Sequence, residues 1–251
     1  MFCVFLLNIF FGETNLDNDK NTSPQDSENI QNSIAVLAFN DLSPNKDHEY
    51  FSDGISEEIL NVLVRIEGLK VASRTTSWGF KGQEALGIPF IAEKMSVRHV
   101  LEGSVRKSGD TVRITAQLID ADTDLHLWSE TYDRTLTAET VFEVQDDIAE
   151  AIVEQLGIIM EGDAVAPSHA ADTKNISAYE LYLEAWQLFV ERRSLVRAID
   201  LFEQAVATDP NFARAWAGLA PGVLPVIDGL GLPAFAALAA QLAARPCVGL
   251  I

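Results

Sequence analysis

Thiols are nearly missing from this chain: of 251 residues only Cys3 and Cys247 are cysteine, one near each end. The patterned middle therefore cannot carry a disulfide framework or a Cys-based zinc site, and its composition suits the cytoplasm and the periplasm equally. Positive charge is also scarce. Eighteen Lys and Arg stand against 37 Asp and Glu, giving a formal net charge of −19 and a pI near 4.4. Phosphate backbones are met by stripes of Lys and Arg, and no such stripe occurs, so no nucleic-acid partner is expected. Docking on an anionic lipid surface is disfavoured for the same reason. The phosphate cradle GxxxxGK[ST] is lacking, and no GxGxxG follows the first predicted strand. Ser104, Ser129 and Asp133 have no GxSxG nucleophile elbow to join. The expectation is a protein without catalytic residues, metal ligands or cofactor.

One long apolar run stands at the start. Residues 1–11, MFCVFLLNIFF, rise only about 16 Å as a helix, short of the roughly 30 Å hydrocarbon core. No basic residues precede the run and no small-x-small site follows it, as a secretory signal would require. It reads as a partial transmembrane or signal segment. Residues 12–32 are polar, rich in Asn, Asp and Ser, and aperiodic, which marks a solvated linker. At the far end, residues 221–251 hold one acid, Asp228, and one base, Arg245, and read as a divergent or truncated helical end.

What is present is a clear α/β pattern. SIAVLAF (33–39) is a continuous apolar run, the mark of a strand buried on both faces. Ile55, Ile59, Leu60, Val62, Leu63 and Ile66 recur at helical spacing, with Gly68 as the stop. LKVAS (69–73) is a second strand and 88–96 a short helix. Three strands follow, turning at Ser108-Gly109-Asp110 and at Ala121-Asp122-Thr123-Asp124. In the middle strand Val112, Ile114, Ala116 and Leu118 alternate with Arg113, Thr115 and Gln117, giving one buried and one wet face. A helix from Val141 to Leu156 ends at Gly157. The order β-α-β-α-β-β-β-α predicts a mixed α/β sandwich over 33–160, then a linker over 161–177.

The stretch HEYFSDGISEEI (48–59) raises a question of chemistry, because one histidine and four carboxylates crowd into it. A metal site needs converging ligands, yet Glu57 and Glu58 diverge by about 100° around a helix axis. The reading adopted is a helix start. Ser52 or Asp53 caps the first turn, Gly54 allows close approach, and Glu57 and Glu58 favour the positive end of the dipole. His99, His126 and His169 are scattered and read as polar or solvated residues. Arg74, Lys81, Arg106 and Arg113 could form a small basic patch, although solvated positions explain them too.

Beyond the linker the pattern is all-helical. Counting back from Pro210 with a period of about 34 residues puts Tyr182, Ala185, Phe189, Ala198, Phe202 and Ala205 at tetratricopeptide signature positions. Trp216, Leu219 and Ala220 begin a second unit that PGVLP interrupts. Trp186 stands where two helices should meet over a small residue, and a one-residue slip to Ala185 would repair it. Two aromatics on the last strand, Trp128 and Tyr132, and four in the helical segment, Tyr182, Trp186, Phe189 and Trp216, are the candidate protein-interface residues.

IAVLAF, EYFSDGISEEILNVLVRIEGLKVASRTTSWGFKG, VLEGSVRKSGDTVRITAQLIDADT and HLWSETYDR together resemble the TolB amino-terminal-like domain of bacterial signalling proteins, over residues 33 to about 157. The segment beginning AYELYLEAW (178–220) resembles the tetratricopeptide repeat that accompanies it. The resemblance implies a module following an output domain and a single membrane helix. In that family the output is often a class III adenylate/guanylate cyclase, sometimes a winged-helix DNA-binding domain or a protein kinase. It also implies a place on the periplasmic side of the inner membrane, with the cytoplasm as the alternative. The expected function is a non-enzymatic, extracytoplasmic sensing or interaction module with a protein or peptide partner. Alternatives are a cyclase fragment whose catalytic domain lies upstream and a small-molecule sensor.

Overall fold

The computed structural model describes residues 31–158 and 173–219. The expected apolar stub at 1–11, most of both linkers and the end at 221–251 lie outside the described residues.

The apolar run at the start of the domain forms β1 (Ser33–Val36), buried along its whole length because sheet neighbours and helices enclose it. The strand pairs in parallel with β3 (Lys70–Val71) on one side and β4 (His99–Ser108) on the other, with Ala35 opposite Val100. From β4 the sheet continues as an antiparallel meander through β5 (Thr111–Asp120) and β6 (Leu125–Thr135). A two-residue strand, β2 (Asn40–Asp41), adds to the far end of β4 and completes a six-stranded mixed sheet.

Two turns set the meander's register. Ser108 pairs with Thr111 across Gly109, whose φ of 57° is a left-handed value that glycine adopts without a Cβ clash. At the other end Asp120 Oδ1 accepts the amide hydrogens of Asp122 and Thr123, each at 3.0 Å, and Arg98 Nε donates to its Oδ2 at 3.0 Å. The alternation expected in β5 is present: Val112, Ile114, Ala116 and Leu118 are buried, while Arg113 is exposed and Thr115 and Gln117 are half-buried.

Helices cover the sheet unequally. On one face lie α1 (Glu49–Val64) and, after the short α2 (Arg74–Trp78) and α3 (Ile88–Met95), α4 (Ala138–Gln155). Thr137 caps α4 by accepting from Thr140 N at 3.1 Å, and Thr140 Oγ1 accepts from Thr137 N at 3.2 Å. On the other face α3 packs, with Ala92 against Val100 and Ala121. Among the described residues no other helix covers the outer part of the three long strands.

The helical segment forms a third layer. α5 (Ile176–Val190) and α6 (Leu195–Thr208) pair as an antiparallel hairpin, and the short α7 (Ala213–Gly218) follows. Asn175 Oδ1 caps α5 by accepting from Ser177 N and Ala178 N. α1 contacts β1, α4 and α5, so it lies between the sheet and the helical layer.

That central position corrects the expected helix start. α1 begins at Glu49, with His48 as the N-cap residue and no side-chain cap. Ser52, Asp53 and Gly54 lie within the helix and are buried. Enclosure on several sides turns residues that suit a cap by local chemistry into residues of a packed interface. The helix also stops at Val64, before Gly68, whose φ of 83° serves the loop leading to β3.

Candidate functional site: a polar clasp on the central helix

Along α1 three of its four carboxylates, Asp53, Glu57 and Glu58, face partners contributed by two parts of the chain. Asp53 is only 2 % exposed. Lys81 Nζ lies 2.7 Å from each of its oxygens, and Gln187 Nε2 of α5 donates to Oδ2 at 3.1 Å. Glu57 accepts from Arg74 Nε at 2.8 Å and from the indole Nε1 of Trp186 at 3.0 Å. Glu58 accepts from Arg214 of α7 at 2.5 Å. Lys107 of β4 reaches in the opposite sense, pairing with Glu180 of α5. Each of these three thus holds one donor from the helical layer, and the first two also hold a cation from the sheet domain.

Apolar contacts close the same interface. An added Cβ on Gly54 would lie 2.6 Å from Leu183 Cδ2, so α1 and α5 approach as closely as a glycine allows. Phe142 of α4 meets Tyr179 of α5 edge to face, with centroids 5.0 Å apart. The Arg214 guanidinium lies 5.1 Å over the Tyr182 ring, adding a cation–π contact to its ion pair.

Burial decides the electrostatics. Desolvation raises the Asp53 carboxyl above its usual range despite Lys81, and it raises Glu57 despite Trp186 and Arg74. The Lys81 ammonium is held above its usual value by Asp53 and Glu49, although its own burial opposes this. The two partners shift upward for different reasons: the lysine keeps its proton because acids surround it, and the acid resists ionising because water is excluded.

The six candidate interface aromatics fall into separate places. Tyr182, Trp186 and Phe189 form a ridge along α5, with Tyr182 and Trp186 stacked at 6.2 Å and Trp186 and Phe189 5.7 Å apart. Tyr182 is buried, whereas Trp186 and Phe189 are half-buried. Ala185 is fully buried, and Trp186 turns toward Glu57. Trp216 on α7 donates from Nε1 to the Pro210 carbonyl at 2.9 Å. On β6, Trp128 is half-buried opposite Leu118, and Tyr132 is buried opposite Ile114, donating to Glu130 Oε2 at 3.2 Å.

The four bases considered as one basic patch are not together. Arg74 and Lys81 are engaged by Glu57 and Asp53, while Arg106 and Arg113 stand opposite each other on β4 and β5. What sequence reasoning missed is the role of Asp53, Glu57, Glu58, Gln187 and Arg214. Their only sequence signal was the density of acids in a helix whose apolar stripe is not confined to one side.

On the uncovered sheet face, a cavity of about 470 Å³ lies beside α3, lined by Leu37, Asn40, Phe80, Ile88, Glu102 and Gln117 among others. Among the described residues no helix is long and apolar enough to cross a membrane, and no group of three or more His, Cys, Asp and Glu could hold a metal ion.

Comparison with known proteins places parts of the chain. Residues 30–151 match the family model described as the HilA/YgeH-like transcriptional regulator, second domain. A protein of Rhizobium meliloti (strain 1021) named "Putative adenylate cyclase 3" is 35% identical over 189 residues, which cover 74% of this chain and 32% of that protein. The chain therefore spans about a third of the length of the curated relative it matches. Among solved structures, lipoprotein GNA1162 from Neisseria meningitidis is 20% identical with a TM-score of 0.37, covering 52% of this chain and 99% of that one. TolB from Acinetobacter baumannii is 16% identical with a TM-score of 0.34, covering 52% of this chain and 29% of that one. The family-model match ends within α4, whereas the 189-residue match is longer than the α/β domain and includes sequence beyond it.

Proposed function

We propose that the chain is a non-enzymatic sensing and protein-interaction module of a bacterial membrane signalling protein. In the full-length parent it is tethered to the inner membrane and lies on the periplasmic side. The observation that carries this reading is the clasp. α1 packs against the sheet on one side and is bonded to α5 and α7 on the other, so a partner engaging the helical layer also moves the helix that packs on β1. The TolB-like and tetratricopeptide-like stretches support the compartment and the tether. A domain match to a transcriptional regulator and a match to one third of a protein named as a cyclase both suit a module whose output lies elsewhere in a longer chain.

In this reading Trp186 and Phe189 form the accessible part of the partner face, with buried Tyr182 stacked on Trp186, and Trp216 contributes separately from α7. Trp128, half-buried on the edge strand, offers a second contact, whereas Tyr132 is buried in the core. The test joins topology to activity. Alkaline phosphatase fused after Leu219 in the full-length protein is expected to be active, and the purified 251-residue chain is expected to form no cyclic nucleotide from ATP or GTP. Cyclic nucleotide formation by this chain would make it catalytic and overturn the proposal. An inactive phosphatase fusion alongside a fluorescent cytoplasmic one would reverse the compartment.

The cavity beside α3 favours a second reading, a small-molecule sensor. A saturable, ligand-dependent rise in melting temperature, lost when Gln117 is replaced by Leu, would support it.

A further inference from the structure

The cavity beside α3 and the clasp share one segment of chain. The cavity, of about 470 Å³, lies off the carboxyl end of β1, where Leu37 and Ala38 run on into its lining. Open α/β sheets commonly hold ligands at the carboxyl ends of their strands. Register sets a polar floor. Asn40, Ser104 and Thr115 stand side by side on β2, β4 and β5, and Glu102 stands opposite Gln117 two residues away on the same face. The wall is apolar, made by Phe80, Ile88 and Ile91.

Charge narrows what fits. Lys81 is the cation of the lining, but its ammonium is bonded to both oxygens of Asp53 at 2.7 Å and to Glu49 at 2.6 Å. An ammonium has three N–H donors, so Lys81 offers the cavity its methylene stem rather than its charge. Glu102 and Asp124 add acids to the lining, and an anion is repelled. Hydroxyl groups donate and accept at once, so they match amides, hydroxyls and carboxylates together. A saccharide ring carries such hydroxyls around its rim and C–H groups on its faces, which suit an apolar wall. The volume lies within the range of small-ligand sites, about 300–1,000 Å³.

The chain that lines the cavity also reaches the clasp. Phe80 and Lys81 follow α2 in continuous turns, Phe80 N bonding the Ser77 carbonyl and Lys81 N the Trp78 carbonyl, both at 3.1 Å. Arg74, at the start of α2, holds Glu57, whose other oxygen takes the Trp186 indole. Lys81 holds Asp53, which also takes Gln187. Both sheet-domain cations of the clasp thus stand on residues 74–81.

We propose that the cavity is a saccharide site whose occupation tightens the clasp through residues 74–81. The proposal rests on the small-molecule reading of this cavity. A bound ring packs Phe80 and the Lys81 stem in place, and this holds Arg74 and Lys81 on Glu57 and Asp53. Coupling is reciprocal, so loosening the clasp weakens the ligand by the same factor.

The test uses the full 251-residue chain, labelled with ¹⁵N and titrated in turn with glucose, N-acetylglucosamine and maltose. At least one is expected to give saturable shifts at the amides of Ser104, Thr115 and Gln117. The Trp186 indole N–H is expected to move along the same binding curve. Gln117→Leu removes a hydrogen-bonding group from the floor and should weaken binding about five- to tenfold. Trp186→Phe lies outside the lining and should weaken binding about fivefold through the clasp alone. The amide spectrum away from the site checks that each variant is folded. Binding with a stationary indole signal and an unchanged affinity in Trp186→Phe would overturn the coupling. No saturable shift from any of the three sugars would overturn the saccharide assignment. A melting-temperature rise with a ligand of another class, lost in Gln117→Leu, would then still uphold the sensor reading.

Discussion

Replacing Arg214 with alanine removes the cation that, among the described residues, holds Glu58. The carboxylate side chain of Glu58 is 9% exposed, so the variant leaves a nearly buried charge with its 2.5 Å partner gone. A charge-assisted hydrogen bond contributes about 2 kcal/mol. The guanidinium over the Tyr182 ring adds about 0.5–1 kcal/mol. Arg214→Ala should therefore cost about 3 kcal/mol, toward the lower end of what removing one partner of a buried pair costs. Glu58→Gln keeps an acceptor for Arg214 and should cost about 1 kcal/mol. The double variant removes the stranded charge as well as the cation, so it should fall short of the sum by about 1.5 kcal/mol. Urea unfolding followed by circular dichroism measures all three, and hydrogen exchange along α5 and α7 shows whether the helical layer loosens first. An Arg214→Ala variant within about 0.5 kcal/mol of wild type, or strictly additive costs, would mean that the clasp does not couple the layers.

Three further outcomes follow from single residues. An added Cβ at Gly103 would stand 2.4 Å from the Thr115 carbonyl oxygen and 2.6 Å from Phe39 Cε2. The carbonyl belongs to a paired strand and cannot retreat, so Gly103→Ala should lower stability by about 3 kcal/mol in urea unfolding. Gln145 is fully buried on α4, and neither amide atom has a hydrogen-bond partner among the described residues. Gln145→Met should raise the urea midpoint, with a gain of about 1 kcal/mol and an unchanged slope. Asp53 takes up its proton more readily folded than unfolded, so its contribution to stability is full below the unfolded pKa and is lost as pH rises through the raised folded value. The stability of wild type relative to Asp53→Asn should accordingly grow as pH falls from neutral toward 4, and urea midpoints that diverge the other way would contradict the burial of Asp53.

Legibility in the sequence followed how local the controlling physics was. The β5 alternation, the Gly109 turn and the last helix of the sheet domain rest on periodicity and turn chemistry within a dozen residues, and all three are present where expected. β2 escaped notice because two residues carry no periodic signal; the strand exists because β4 is long enough to accept it. The SDG within α1 reads as a cap by local preference, since Ser and Asp accept free amide hydrogens and Gly permits tight approach. Its actual place follows from α5 lying across it, 129 residues away at the Glu57–Trp186 contact. Arg106 and Arg113 illustrate the same divide: their strands were legible, but a shared wet face became apparent only with the register.

The sequence by itself determined that this is an acidic, cysteine-poor α/β chain with a meander and a following helical segment. Periodicity and composition act along the chain, and they are sufficient for that. Only the tertiary structure decided that the helical layer docks on the central helix, that acids of HEYFSDGISEEI bind across that junction, and that Arg106 and Arg113 face each other on the open sheet. These are relations between distant residues, and burial and charge acquire their energies from the neighbours that folding brings near.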